Sequence, residues 1–291
     1  MSQKPTKHQH YIPQTYLDGF KSAIKYGKHD TIYQFDKTMS LQSTKPYPIK
    51  DIAYENFMYE LHDEKGKIVH TNYIERCLGE YESKFNKYRN IMINNFSLHK
   101  SCSEDSKEYW TDYIALQLLR TPHAFKVSKK LFKKDDISDI EFQNQALYHH
   151  FPFLHEDSSD ETLFSYLKSV FKQMHFFIAY ARYPSDSIIT SDNPVCVIYN
   201  NTKFPLKNPL PFELVFFPVT EKFGICLHLE YSNIVKIFQE KGPALCHRNL
   251  LNTINSFIFF QAKRFIYSSF QITTENINQM QIDYNNVKLL E

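Results

Sequence analysis

His8 and His10 stand two residues apart in a run dense in hydrogen-bonding and titratable groups, His8-Gln9-His10-Tyr11-Ile12-Pro13-Gln14-Thr15-Tyr16-Leu17-Asp18-Gly19-Phe20. In an extended chain alternate side chains share a face, so both imidazoles would point the same way. Such a pair could bind a metal or serve as acid and base near neutral pH. The competing reading is a tucked-in segment whose Tyr11 and Tyr16 simply pack into the core. Of the two histidines, His10 is the stronger candidate, because it directly precedes Tyr11-Ile12-Pro13.

Further polar clusters invite the same question. In Trp110 to Pro122, Tyr113, Gln117 and Arg120 follow i, i+4, i+7 spacing and so share one side of a helix beside an apolar strip. A buried arginine there needs an anionic or carbonyl partner, which could be a substrate phosphate or simply a loop carbonyl or aspartate. Thr190-Ser191-Asp192-Asn193-Pro194 reads either as a tight turn or as a carboxylate at a strand end. Asn255 and Gln261 to Ser268 form a fourth cluster, in which Arg264 is explained either by a helix dipole or by anion binding. Lys126, Lys129, Lys130, Lys133 and Lys134 recur at i, i+3, i+4, i+7, i+8. That stripe suits a phosphate backbone, or else a solvated face balanced by Asp135, Asp136 and Asp139.

The elements that must position these groups are legible from periodicity. Strands are expected at 31–36, 187–190, 195–199, 214–219 and 224–229, and a loop plus short strand over 49–61, followed by a turn at 62–67. Helices are expected from Asn72 to about Phe96, from Ser103 to Arg120, and over 126–134, with Thr121-Pro122 ending or kinking the second. Residues 135–160, with His149, His150 and His155, read as a polar loop bearing one short helix. Helices are also expected over 161–181 and 247–267. The sum is a single α+β domain over 1–291: β-rich at 1–65, helical at 72–182, then β plus a C-terminal helix at 187–270, its short strands antiparallel.

Composition excludes several classes. The 291 residues carry a net charge of only +2, so any attraction for nucleic acid must be local. Six glycines and the lack of GxGxxG or GxxxxGK patterns argue against a glycine-rich phosphate cradle. Five scattered cysteines, never in CxxC spacing, predict neither a zinc site nor a disulfide framework. A polar N-terminus and short apolar runs predict a cytoplasmic protein with no membrane partner.

Four of these clusters together resemble the family catalogued as domain of unknown function number 4238. Its HHYVPQxYLxxF-like opening is matched by His8 to Phe20, with Gln9 in place of the first histidine of the pair. Its ALQxxRTP helix is matched by Ala115 to Pro122, its TSDNPV turn by Thr190 to Val195, and its AxRFIYS segment by Ala262 to Ser268. The resemblance implies that the four segments converge. It also implies a bacterial cytoplasmic protein, some members of the family lying near defence or mobile-element genes. On that convergence the expected function is a phosphodiester- or nucleotide-acting hydrolase, such as a nuclease effector of anti-phage defence. His10, Asp192 and Arg120 would be catalytic; Gln117, Tyr11, Asn193, Arg264, Lys126 and Lys130 would bind substrate. A divalent metal is left open as a cofactor, with no ligand assigned. The partners would be nucleic acid or a nucleotide, with a second protein from a defence operon. The alternatives are a non-enzymatic module that senses a nucleotide or a phage protein, and a purely structural network.

Overall fold

The computed structural model describes residues 4–39, 42–98, 102–132, 138–155, 162–199, 212–228, 245–246 and 248–288. Lys133 and Lys134 of the basic stripe lie outside these, as do the side chains of Lys129 and Lys130, so only Lys126 of that stripe is placed.

The opening motif forms a ribbon. Strand β1 (His8–His10) pairs antiparallel with β5 (Tyr54–Asn56), setting His8 opposite Asn56 and His10 opposite Tyr54. Ala53 and Phe57 bracket β5 in left-handed backbone, φ 56° and 53°, a conformation that costs a non-glycine residue about 1–2 kcal/mol. Main-chain bonds hold both corners: the Tyr11 N–H donates to the Ala53 carbonyl at 3.0 Å and the Phe57 N–H to the Lys7 carbonyl at 3.0 Å. Past Pro13, the short helix α1 (Gln14–Leu17) buries Tyr16 and Leu17. Gly19 then passes so close to the Val219 carbonyl that a Cβ would sit 2.5 Å from it. The β-rich N-terminal part is completed by β2 (Lys25–Tyr26), β3 (His29–Asp36), β4 (Tyr47–Pro48), β6 (Leu61–His62) and β7 (Ile68–Val69).

Helix α2 (Tyr73–Ser97) buries Ile74, Leu78, Phe85 and Met92, one stripe at helical spacing. Helix α3 (Glu104–Leu119) starts where Ser103 Oγ accepts the Ser106 N–H at 3.3 Å. At Thr121-Pro122 the chain turns and restarts at once as α4 (Pro122–Phe132). Thr121 Oγ1 accepts the Ala124 N–H, and proline at a first helical position sacrifices only an N–H that would lack a partner anyway. The short helix expected within 135–160 is α5 (Asp139–His150), capped by Ser138.

Two long helices read from periodicity are each a helix followed by a strand. Helix α6 (Leu163–Lys172) ends before β8 (His175–Ala181), so the 161–181 expectation is corrected. The run His-Phe-Phe-Ile-Ala-Tyr-Ala is rich in β-formers, and its apolar residues satisfy either period. Likewise α7 (Arg248–Gln261) stops short of β14 (Phe265–Ser268), correcting 247–267. The remaining strands are β9 (Thr190–Ser191), β10 (Cys196–Tyr199), β11 (Phe212–Pro218), β12 (Phe223–His228) and β13 (Leu245–Cys246). One sheet has the order β10-β11-β12-β8-β13; its expected strands pair antiparallel, and β13, which lies beyond them, runs parallel to β8. The other has the order β2-β3-β14-β9, with β4 joined to β3. A C-terminal helix, α8 (Thr274–Lys288), packs on α7 through stacked Tyr284 and Phe260 rings 4.0 Å apart; the sequence reading stopped short of it.

The architecture is α+β. One apolar cluster joins the ribbon to α2, α3 and α6, while a second lies under α7 and α8. Among the described residues, no helix is long and apolar enough to cross a membrane.

Candidate functional site

Arg120 closes α3 at 3% exposure. Its Nη1 donates to Glu82 Oε1 of α2 at 2.7 Å, and its Nη2 donates to the main-chain carbonyl of His10 at 2.6 Å. The guanidinium lies over the Tyr59 ring, 5.8 Å from its centroid, and the Tyr59 hydroxyl donates to the Arg120 carbonyl. Burial acts most strongly and by itself would lower the guanidinium pKa; the Glu82 charge together with Tyr59 and Tyr113 outweighs it, and the net direction is up. One turn earlier, Gln117 Nε2 donates to the Tyr11 carbonyl at 2.9 Å. Helix α3 therefore grips the backbone of the opening motif rather than its imidazoles. The i, i+4, i+7 spacing of Tyr113, Gln117 and Arg120 does put all three on one cavity of about 10 Å³, shared with Glu82. That is the size of a single water.

Gln9 turns the other way from its histidine neighbours and is 0% exposed. Its Nε2 donates to Glu60 Oε1 at 2.7 Å and its Oε1 accepts the Tyr59 N–H at 2.7 Å. Glu60 Oε2 accepts the Asn72 N–H, fixing the start of α2. Nearby, the Glu75 carboxyl is pushed up to about 7: burial acts most strongly, Arg120 opposes it, and Glu82 and Glu60 add to it. Three acids thus gather around one arginine. None of the three was picked out by sequence reasoning, because each is an ordinary acid in its own segment and only Arg120's burial gives them a common purpose.

Asp192 is the second centre. Its Oδ1 accepts the Lys263 N–H at 2.8 Å, and its Oδ2 accepts those of Arg264 at 2.7 Å and Phe265 at 3.1 Å. Burial raises its pKa against the pull of those three N–H groups. Asn193 donates its own N–H to Ser191 Oγ. Arg264 lies beyond the end of α7, so the helix-dipole account is replaced: its Nε and Nη2 donate to Asp36 Oδ2 at 3.0 and 2.8 Å, and its side chain is 55% exposed. The Tyr11 hydroxyl reaches this centre; burial, then the Asp192 charge, raises its pKa. Asn255, on α7, pins the preceding segment through the Ile189 N–H and Ser187 carbonyl.

Asp192→Asn should therefore lower the unfolding free energy by about 2 kcal/mol, since an amide keeps one acceptor oxygen and turns an NH2 toward a backbone donor. Urea unfolding checks this; an unchanged midpoint would mean that the turn does not depend on the carboxylate.

The imidazoles form a separate, outward-facing group. Tyr54 stacks on His8, centroids 4.3 Å apart at 14°, and meets His10 edge-on at 5.6 Å, so the two histidines do share a face. His10 Nε2 lies 3.2 Å from the Lys50 carbonyl and 3.4 Å from Gln14 Nε2. Burial lowers its pKa, which keeps it neutral at neutral pH. Lys50 Nζ approaches His29 Nε2 at 3.4 Å. On the other flank of β5, Glu55 to Met58 wall a groove of about 320 Å³ that also holds Lys126, Phe125 and Asp139. Among the described residues the His10 ring has no hydrogen bond to Asp192, and no group of three or more His, Cys, Asp or Glu side chains is gathered to hold a metal. His150 is a core histidine, pushed down to about 4 by burial and bonded to Ser128 Oγ at 2.7 Å.

The opening motif thus touches both centres, its backbone on Arg120 and Gln117 and its Tyr11 ring near Asp192. A family model described as "Protein of unknown function (DUF4238)" matches residues 8–271, and the chain belongs to that family. No curated protein and no solved structure matches it.

Proposed function

We propose that this family member acts on a phosphodiester or nucleotide at the outer face of its N-terminal ribbon, with His10 as the acid or base. One observation carries the reading. His8 and His10 flank the Tyr54 ring on one face, while the next residues of β5 wall the groove that holds Lys126. An aromatic face can stack a base, an ammonium can meet phosphate, and a neutral imidazole can take a proton. In this reading Arg120 and Gln117 are positioning residues that hold the His10-Tyr11 backbone, and Asp192 and Arg264 fasten the neighbouring strands through the 263–265 backbone and Asp36, rather than touching substrate. The protein would work in the cytoplasm, as a nuclease effector of anti-phage defence.

A second reading is a binding module that recognises a nucleotide or a phage protein without turnover. It is favoured by the engagement of both Arg120 terminal nitrogens and both Asp192 oxygens within the protein. The test is incubation of the protein with labelled RNA, DNA and nucleotides, with and without Mg²⁺ or Mn²⁺. His10→Ala retains the carbonyl that Arg120 needs, so it should fold and lose about 100-fold or more in rate. Equal turnover by wild type and variant would remove His10 from the chemistry. Binding without turnover in either would select the module.

A further inference from the structure

Two groups crowd one nitrogen of the His10 ring, and its second nitrogen is left open. Nε2 lies 3.2 Å from the Lys50 carbonyl and 3.4 Å from the Gln14 side-chain amide. A carbonyl oxygen can only accept, so the Lys50 contact is a hydrogen bond only when Nε2 carries the proton. The Gln14 amide has no such restriction, because a half-turn brings its Oε1 toward the ring in place of its NH2. With Nε2 protonated both neighbours accept from it; with Nε2 bare the Lys50 oxygen faces a lone pair. The main chain at Lys50 therefore favours the Nε2–H tautomer.

Nδ1 then carries the lone pair. It has no hydrogen bond among the described residues, and unlike Nδ1 of His62 and His150 it is not sealed off from solvent. Tyr54 meets the ring edge-on at 5.6 Å, and Nε2–H donates to Lys50 whether or not Nδ1 is protonated. The imidazole can thus gain and lose a proton without turning. An acid–base histidine needs that arrangement, one nitrogen held and the other offered. We propose that His10 exchanges its proton through Nδ1, with Gln14 as a positioning residue that shares Nε2–H with the Lys50 carbonyl. The use of Nδ1 in turnover rests on the phosphodiester or nucleotide reading; the tautomer does not.

Long-range ¹H–¹⁵N NMR of protein labelled at histidine tests the atom directly, the His10 signals being those lost in His10→Ala. Above the pH at which the ring titrates, Nε2 should appear as the protonated nitrogen and Nδ1 as the bare one. Gln14 is exposed, and Gln14→Glu, which sets a carboxylate beside Nε2–H, should raise the His10 titration midpoint by about one pH unit. The other groups around the ring are unchanged in that variant: His8 on β1, Lys50, Tyr54 on β5, Glu82 on α2 and Arg120 on α3. Gln14→Leu should keep the tautomer, since the Lys50 carbonyl remains. A proton found on Nδ1, or averaged over both nitrogens, would overturn the choice of Nδ1. An unmoved midpoint in Gln14→Glu would overturn the role of Gln14. Failure of every nucleic acid and nucleotide to turn over would remove the catalytic use of Nδ1 and leave the tautomer standing.

Discussion

Arg120→Met is expected to lower the unfolding free energy by about 3–5 kcal/mol, the range for breaking a buried ion pair from one side. The reason lies in what the substitution leaves behind. Methionine fills much of the volume, but Glu82 loses its cation and the His10 carbonyl loses its 2.6 Å donor. Glu75 and Glu60 then face Glu82 with no positive charge between them. A buried pair replaced on both sides by apolar groups can be neutral; replacing one side is not that case. Arg120→Lys should fall between the two proteins, because one ammonium cannot span both acceptors and stack on Tyr59 as the planar fork does. Urea unfolding followed by circular dichroism measures all three. A loss under about 1 kcal/mol for Arg120→Met would show that the arginine contributes little to holding the N-terminal ribbon on α3.

Much of this site was legible as spacing and little of it as partnership. The i, i+4, i+7 pattern put Tyr113, Gln117 and Arg120 on one wall, and the period of two put His8 and His10 on one face, as the Tyr54 contacts report. These are local geometric facts, fixed by 3.6 and 2 residues per repeat. Arg120's partners lie 38 and 110 positions away in the chain, and Arg264 meets Asp36 across 228; no local pattern encodes such pairings. The two helix overreaches share another cause. Phe-Phe-Ile-Ala-Tyr-Ala and Phe-Ile-Tyr-Ser continue an apolar stripe past Lys172 and Gln261, and only sheet pairing with β12 and with β3 decides them as strands. Thr121-Pro122, by contrast, ends α3 as its proline requires, and the same dipeptide caps and starts α4.

Glu75→Gln is expected to change the pH dependence of stability, and the direction follows from the carboxyl's displacement. Its pKa moves from an ordinary 4.5 to about 7 in the fold, so the folded chain holds this proton more tightly than the unfolded one. Its stabilising contribution is therefore fully present below about pH 4.5 and is lost as pH rises through 7. The full shift corresponds to about 3 kcal/mol, and Glu75 is only partly exposed, so about 2 kcal/mol or more should be measurable. Glutamine stays neutral throughout. The variant should match wild type near pH 4 and exceed it in stability by about 2–3 kcal/mol at pH 8, in urea unfolding at one-unit steps. Taking the difference between the two proteins cancels the histidines that titrate in the same window. Parallel pH profiles would mean that Glu75 ionises in the fold as it does in the unfolded chain, and that Arg120 serves Glu75 as well as Glu82. Divergent profiles would mean that Arg120's charge is committed to Glu82. The layer directly beneath the His10-Tyr11 backbone would then carry an acid about half protonated near pH 7, where His10 is proposed to work.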